Sequence, residues 1–131
     1  MKSLKISIQT LTPLWTGGVD NTTDRLYETG IIGSLRWWYE AVVRGLEGDA
    51  CDPTTKHKCE FKKKKYEIAI DQGKSEHEAL HEAGLCDVCR IFGATGWRRR
   101  FDLRVIQDET EPAWRSDLRI PNLVTVHANV S

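Results

Sequence analysis

The chain has 131 residues, and its 19 basic and 19 acidic side chains give a net charge of zero. Hydrophobic residues at 40% and charged residues at 29% are ordinary for a globular domain, which excludes collagen, coiled coils and wholesale disorder. No apolar run approaches the roughly 20 residues that cross a bilayer, and the start of the chain does not read as a secretory leader. We therefore expect a cytoplasmic protein that has no membrane contact.

The first predicted element is a strand over residues 3–11. Leu4, Ile6 and Ile8 alternate with polar residues, and this period of two is typical of a strand with one buried face. Proline follows the strand and ends it, because it cannot donate to a sheet ladder. Residues 14–33 then predict a loop of about twenty residues, a length that compact domains rarely carry without a function.

A helix is predicted to begin at Ser34, a typical N-cap residue, and to end at Gly45 or Gly48. The apolar side chains of this helix fall on one stripe, which is expected to face the core: Leu35, Trp38, Tyr39, Val42 and Leu46. Charged side chains occupy the opposite face at i, i+4 intervals: Arg36, Glu40 and Arg44. The pattern thus predicts an amphipathic helix with Trp38 in the core.

The rest of the chain predicts two short helices and two strands. One helix falls within residues 61–72, and a second begins at the Ser75–Glu78 capping box and ends at Gly84. Alternating residues predict strands at 101–105 and 123–130. A strand, a helix and two strands make an α+β beginning that is compatible with a ferredoxin-like domain. Such a domain needs a second helix, so the chain is expected to be incomplete.

Four cysteines lie in or beside a polar insertion, at about residues 49–89. Cys86 and Cys89 have the C-x2-C spacing that lets two thiolates reach one tetrahedral metal ion. A structural zinc ion bound by these two residues with Cys51 and Cys59 would close the insertion, which has little apolar material to fold around. Reduced thiols without a metal are the alternative, and disulfides are disfavoured without a secretory signal.

The histidines give a weaker chemical signal. His57 lies between two of the cysteines and is an alternative metal ligand. His77 and His81 lie at i, i+4 among glutamates, and this pattern favours solvated surface positions over metal binding. A serine elbow, a P-loop and an H-E-x-x-H motif are all missing from the sequence, so nothing identifies a catalytic nucleophile.

Aromatic and basic residues are interleaved in the glycine-rich segments. Trp15 and Trp37 lie in or near such segments, and Trp97 directly precedes three arginines, residues 98–100. Bases of single-stranded RNA stack on such rings, and arginines bind its phosphates. The alternative is that the tryptophans pack loops onto the sheet while the arginines are solvated. The lysine run at 62–65 is a second candidate for phosphate binding, with a solvated loop as its alternative.

Three segments together carry a resemblance to a known family. They read L-T-P-L-W-T-G-G at residues 11–18, E-T-G-I-I-G-S-L-R-W-W-Y-E at 28–40 and C-R-I-F-G-A-T-G-W at 89–97. The combination resembles the N-terminal part of the first RAMP subunit of the Cmr complex, the type III-B CRISPR effector. This resemblance implies a ferredoxin-like, RRM-related domain that binds CRISPR RNA (crRNA) as a non-catalytic subunit. It also implies that residues 1–131 are a fragment of a longer protein.

By position, the resemblance implies eight RNA contacts: Thr16, Gly17, Gly18, Arg36, Trp37, Arg98, Arg99 and Arg100. The implied partners are crRNA, target RNA and the other RAMP subunits of the Cmr complex. Two alternatives stay open at this point. One is a RAMP-class endonuclease that processes precursor crRNA, with His57 or His127 as its acid–base group. The other is an assembly module that contacts only proteins.

Overall fold

The computed structural model describes residues 2–15, 25–52, 54–112 and 119–130. Its elements in chain order are β1 (Lys2–Gln9), α1 (Glu28–Gly45), α2 (Lys63–Asp71), α3 (Glu76–Glu82), α4 (Cys89–Phe92), β2 (Phe101–Asp108), β3 (Glu111–Pro112), β4 (Arg119–Ile120) and β5 (Leu123–Val130). The chain divides into a sheet unit, Met1–Leu35 with Phe101–Ser131, and a cysteine unit, Arg36–Arg100. No helix in the described ranges has the length and apolar character needed to cross a bilayer.

The sheet unit contains a three-stranded antiparallel sheet with β5 at its centre. β1 pairs with one edge of β5, so that Lys2 lies opposite Val130, and β2 pairs with the other edge. β1 and β2 are therefore parallel to each other with β5 between them, which is a split β-α-β arrangement. The strands predicted at 101–105 and 123–130 are confirmed as β2 and β5.

β1 is a strand, as its alternating sequence predicts, but its apolar face is exposed. The buried apolar side chains of the sheet unit belong to β2, β5 and the segment before α1: Leu26, Leu103, Val124 and Val126. Leu4, Ile6 and Ile8 lie on the face of Val124 and Val126 but remain 56, 40 and 43% exposed. The prediction of a half-buried strand is wrong among the described residues, because this core covers β5 and β2 and leaves β1 open.

α1 begins at Glu28, six residues before the predicted N-cap. Ser34 is an exposed residue inside the helix, and the last part of the predicted loop 14–33 is helical. Ile31 and Ile32 pack against the apolar cluster of the sheet unit. We attribute the early start to this packing, which offsets the roughly 1 kcal/mol that a helical glycine costs. The predicted end at Gly45 is confirmed.

Most of the predicted apolar stripe of α1 is exposed, contrary to the prediction from its sequence, and only its member Tyr39 packs inward. Three members of the predicted stripe within α1 and Leu46, which directly follows the helix, are 46 to 78% exposed: Leu35, Trp38, Val42 and Leu46. Glu40, from the opposite face, is only 7% exposed, while Tyr39 and Val43 pack against the buried cluster of the cysteine unit. The placement of Trp38 in the core is therefore wrong. Burial of Glu40 is tolerated because two arginines pair with its carboxylate.

The cysteine unit contains α2, α3 and α4, and its buried side chains are mostly small. The capping box is confirmed: the Glu78 N–H donates to Ser75 Oγ at 3.3 Å, and the Ser75 N–H donates to the Glu78 carboxylate at 3.0 Å. α2 falls within the predicted 61–72, and α3 ends before Gly84 as expected. Among the described residues, the buried apolar residues of this unit are Ala69, Ala79, Leu80, Ala83, Leu85, Cys86, Val88 and Cys89.

Candidate metal centre and basic surfaces

The four cysteines predicted as metal ligands meet at one point of the cysteine unit. The sulfur atoms of Cys51, Cys59, Cys86 and Cys89 all lie within 4.8 Å of one another, and all four residues are free thiols. The Sγ atoms of Cys51 and Cys89 are 3.4 Å apart. Zn–S bonds of about 2.3 Å in a tetrahedron separate sulfur atoms by about 3.8 Å, so the cluster has the size of a tetrathiolate site. His57 is exposed and is not a member of the cluster.

Backbone N–H groups orient two of the sulfur atoms. The Cys89 N–H donates to Cys86 Sγ at 3.4 Å, and the Cys86 N–H donates to Cys59 Sγ at 3.3 Å. These donors favour the thiolate, which is the form of cysteine that binds a metal ion. Arg44 of α1 donates to the Cys51 carbonyl oxygen at 3.1 Å, so the cysteine farthest from the C-x2-C pair in sequence is tied to the helix.

Gly84 brings the Cys59 segment close to the Cys86 segment. A Cβ at this position would lie 2.8 Å from the carbonyl oxygen of Glu60, so only glycine fits without displacing the backbone. Its φ of +98° also favours glycine. The neighbouring hydrogen bond, from the Lys62 N–H to the Ala83 carbonyl oxygen at 2.9 Å, fixes the same approach.

Protons are distributed unequally over the sulfur atoms. The hydrogen bond with Cys89 lowers the pKa of Cys86 to about 4, and the same contact raises the pKa of Cys89. Burial raises the pKa of Cys59 to about 11. These contacts favour the thiolate at Cys86 and the thiol at Cys59 and Cys89, and a metal ion would have to displace the protons of the latter two.

Arg36, a predicted RNA contact, lies beside this cluster. Its Nε donates to the Glu40 carboxylate at 3.0 Å, its Nη1 to the Gly93 carbonyl oxygen at 3.1 Å, and its Nη2 to Cys89 Sγ at 3.2 Å. The side chain is 23% exposed. Desolvation alone would lower the pKa of Arg36, but the Glu40 and Cys89 contacts raise it above its ordinary value.

The other predicted RNA contacts have different surroundings. Thr16, Gly17 and Gly18 lie outside the described residues. Trp37 is 61% exposed and meets Trp38 edge to face, with ring centroids 4.9 Å apart. Arg98 and Arg99 are exposed. Arg100 pairs with Glu76, and its guanidinium carbon lies 4.8 Å from the centre of the Trp97 ring.

Trp97 has a packing role that the sequence offered only as the alternative. Its ring lies 4.9 Å from that of Phe61 and 6.4 Å from that of Tyr66, and its Nε1–H donates to the Arg90 carbonyl oxygen at 3.0 Å. The Phe61 N–H donates to the Thr95 carbonyl oxygen at 2.9 Å. These contacts place the exposed lysine run 62–65 and the arginine run on adjoining segments, which sequence spacing could not show.

His127 lies on the polar face of the sheet. Its cross-strand neighbours are Lys5 on β1 and Arg104 on β2, and its ring shares a hydrogen bond with Ser3. His77 and His81 instead lie 3.5 and 3.4 Å from carboxylates, which agrees with the prediction of surface positions.

Comparison with known protein families gives a match that covers most of the chain. A family model described as the RAMP superfamily matches residues 7–120, which is well over half of the chain and includes all four cysteines. No curated protein and no solved structure matches the chain significantly.

Proposed function

The chain belongs to the RAMP superfamily, which is associated with CRISPR effector complexes, and on this premise we propose that it is a non-catalytic crRNA-binding subunit of the type III-B (Cmr) complex. The observation that carries the proposal is the family match over residues 7–120. The finer assignment to the Cmr complex rests on the three segments at 11–18, 28–40 and 89–97. Proteins of this family usually work with CRISPR RNA and other subunits, so we propose crRNA, target RNA and neighbouring RAMP subunits as partners, in the cytoplasm.

For the fold, we propose the ferredoxin-like, RRM-related form. The support is the split β-α-β arrangement, in which β5 separates the parallel strands β1 and β2. A ferredoxin-like domain adds a second helix and a fourth strand. The exposed apolar face of β1, with Leu4, Ile6 and Ile8, offers the helix a packing surface, and the strand edge of β1 that faces away from β5 offers the strand a pairing partner.

The proposed RNA surface lies on the cysteine unit. It combines the exposed lysines 62–65 with Arg98 and Arg99, which the Phe61–Thr95 contact brings onto adjoining segments. Several cations close together suit the phosphates of a single strand. Trp37 contributes an exposed ring of the kind on which bases stack.

A salt series tests this surface. The anisotropy of a fluorescent repeat–spacer RNA is measured with the wild-type chain and with the double variant Arg98→Ala/Arg99→Ala. We expect weaker binding and a salt slope smaller by about 1.4, since each lost phosphate contact on single strands contributes about 0.7. Lys74→Ala is the matched control, because Lys74 is engaged by Glu82 in the same unit. An unchanged slope in the double variant would contradict the assigned surface.

The four cysteines are proposed to hold a structural zinc ion. Soft thiolates at tetrahedral spacing in a small polar insertion favour zinc over harder ions. When bound, the ion supplies a cross-link between segments that are distant in sequence. Native mass spectrometry should find one zinc per chain and none in Cys86→Ser, whereas His57→Ala should keep it. Wild-type protein without metal after expression in zinc-containing medium would contradict the proposal.

An endonuclease is the second candidate, and the surroundings of His127 favour it. A histidine between two cations has the groups that 2′-OH attack on a phosphodiester needs, namely a base and positive charge near the phosphate. Repeat RNA incubated with the chain and run on a denaturing gel tests this candidate. Cleavage that is lost in His127→Ala would support it, and uncut RNA would support the non-catalytic subunit.

The exposed stripe of α1 suits the expected contact with other subunits. Trp38, Val42 and Leu46 form an apolar face that water covers in the isolated chain. We propose that a neighbouring RAMP subunit packs there. Co-purification of the complex with a Val42→Glu variant should recover less of this chain than the wild type, and equal recovery would place the contact elsewhere.

A further inference from the structure

Arg36 lies in the segment whose resemblance implies an RNA contact, yet its side chain makes three hydrogen bonds within the cysteine unit. Its three nitrogen atoms donate to Glu40, to the Gly93 carbonyl oxygen and to Cys89 Sγ, at 3.0 to 3.2 Å. A guanidinium binds phosphate best through two parallel N–H groups on one edge. Glu40 already accepts from Nε, and the three acceptors together leave only one further N–H on each of Nη1 and Nη2, in a side chain that is 23% exposed.

The charge of the cysteine cluster explains why a guanidinium is placed there. Four thiolates around one Zn²⁺ carry a net charge of −2, and a partly buried anion requires nearby cations. Arg36 donates directly to one of the four sulfur atoms. Lys58 lines the same cavity of about 110 Å³ beside Cys51, Cys59 and Cys89. Both cations therefore lie where a tetrathiolate centre needs positive charge.

Glu40 holds the Arg36 guanidinium in this position. Its carboxylate is buried and pairs with Arg36 at 3.0 Å and with Arg44 at 3.7 Å. Arg44 in turn donates to the Cys51 carbonyl oxygen. The charged face of α1 thus reaches two of the four cysteines, one through its sulfur atom and one through its backbone.

The hydrogen bond from Arg36 to the Gly93 carbonyl oxygen joins two of the segments that carry the family resemblance. Arg36 belongs to G-S-L-R-W-W, and Gly93 belongs to C-R-I-F-G-A-T-G-W. Gly93 has a φ of +91°, and a Cβ there would lie 3.0 Å from the Arg99 backbone nitrogen, so the turn that presents its carbonyl oxygen is specific to glycine.

We propose that Arg36 is a positioning residue of the metal centre, which orients Cys89 and balances the thiolate charge, and that it does not contact RNA. The proposal rests on the zinc site proposed above. It assigns the arginine of the R-W-W segment to the interior of the cysteine unit.

Metal exchange tests the proposal. The zinc-loaded full chain is mixed with a chromophoric chelator, and the rate of zinc transfer is compared for the wild type, Arg36→Met, Arg36→Lys and Arg44→Met. Loss of a group that supports a metal ligand typically weakens metal binding by about 10- to 100-fold. We expect Arg36→Met to lose zinc at least about tenfold faster, and Arg36→Lys to give an intermediate rate because it keeps the charge and loses the fork geometry. Arg44→Met, which removes a backbone contact, should change the rate least.

Two further measurements separate a role at the metal centre from a general role in folding or an RNA contact. They are the absorption spectrum of the cobalt-substituted protein and the salt dependence of RNA binding. With Co²⁺ in place of zinc, the thiolate charge-transfer band of Arg36→Lys should shift relative to the wild type, because one sulfur atom loses its donor. The salt slope of RNA binding should be the same for zinc-loaded Arg36→Lys and Arg36→Met as for the wild type.

Two outcomes would overturn the inference, and they are distinguishable. Wild-type metal retention by both Arg36 variants, with a salt slope reduced in Arg36→Met, would make Arg36 an RNA contact and leave the zinc site intact. Failure of the wild-type chain to bind zinc or cobalt would overturn the metal site and the role of Arg36 together. If Arg36→Met does not fold, the Arg36→Lys rate alone decides.

Discussion

The sheet unit and the cysteine unit are stabilised by different interactions. In the described part of the sheet unit, strand pairing joins β1, β5 and β2, and the apolar core has four buried aliphatic side chains with partly buried apolar residues packed against them. In the cysteine unit, the described residues form short helices, and alanines and cysteines make up more than half of the buried side chains. Small side chains bury little apolar surface. We therefore expect this unit to depend on the proposed zinc cross-link through its sulfur atoms.

Removal of the metal should produce the largest difference between the two units. Structural zinc contributes on the order of 10–16 kcal/mol of apparent binding energy in small zinc domains, more than the usual stability of a domain. With a chelator, or in Cys86→Ser, we expect hydrogen exchange to become fast in α2 and α3 and to stay slow in β5. Mass spectrometry of peptides from both units measures this difference.

His57→Ala is the control for that experiment, since His57 is exposed and lies apart from the sulfur cluster. Equal loss of protection in β5 would show that the two units unfold together. Unchanged protection in α3 after metal removal would show that the cysteine unit is stable without a cross-link.

Acid should release the metal and affect the same unit. Cys59, whose pKa burial raises to about 11, and Cys89, whose pKa is also raised, hold their protons at neutral pH in the metal-free protein. Because zinc displaces at least these two protons, its affinity should fall by at least about 100-fold for each unit of pH decrease. Competition with a chelator between pH 6 and 8, roughly, checks this slope, and an affinity independent of pH would contradict it.

In the metal-free protein, stability is expected to fall as the pH rises, which is opposite to the pH dependence of zinc affinity. Because the pKa of Cys59 is raised in the fold, its contribution to stability is present below its ordinary value of 9.0 and is lost as the pH rises towards about 11. Urea unfolding of the metal-free chain across this range should therefore show falling stability on the alkaline side.

In the sheet unit, shortening a buried side chain should cost more unfolding free energy than shortening an exposed one. Leu103 of β2 is 6% exposed, and Leu103→Ala should cost about 2–5 kcal/mol of unfolding free energy. Leu4 of β1 is 56% exposed, and Leu4→Ala should cost less than about 1 kcal/mol, because it leaves no closed cavity. Urea unfolding followed by circular dichroism measures both, and equal costs would mean that the face of β1 is covered in solution.

The smallest effect is expected for the largest side chain of the α1 stripe. Trp38 is 63% exposed, so Trp38→Ala should change the unfolding free energy by no more than about 0.5 kcal/mol in the isolated chain. Leu85→Ala, at a position that is 2% exposed, is the matched comparison and should cost several times more. A large loss of stability in Trp38→Ala would show that the stripe is covered by the chain itself.

Local signals in the sequence predicted what local physics determines. The Ser75–Glu78 capping box, the C-x2-C pair and the period-two strands all involve neighbours within a few residues, and each is found as expected. The start of α1 was missed because Ile31 and Ile32 gain their packing from strands that lie far along the chain. No spacing rule contains that information.

The orientation of α1 could not be predicted for a similar reason. An amphipathic pattern shows which side chains are apolar, and it does not show which face another segment will cover. Glu40 and Arg36 face inward because Cys89 and Gly93, more than fifty positions later, supply partners for the arginine. Likewise, Phe61 and Tyr66 belong to no recognisable motif in the sequence. Their packing role becomes evident only from their contact with Trp97.

The outer edge of β1 has a consequence for handling the protein. Within the described ranges β1 pairs only with β5, so its other edge presents unpaired backbone groups next to three exposed aliphatic side chains. Such an edge is a template on which a second molecule can add a strand. At high concentration the isolated chain should therefore self-associate, and its colloidal stability should improve when a lysine replaces Ile6 at the centre of that face.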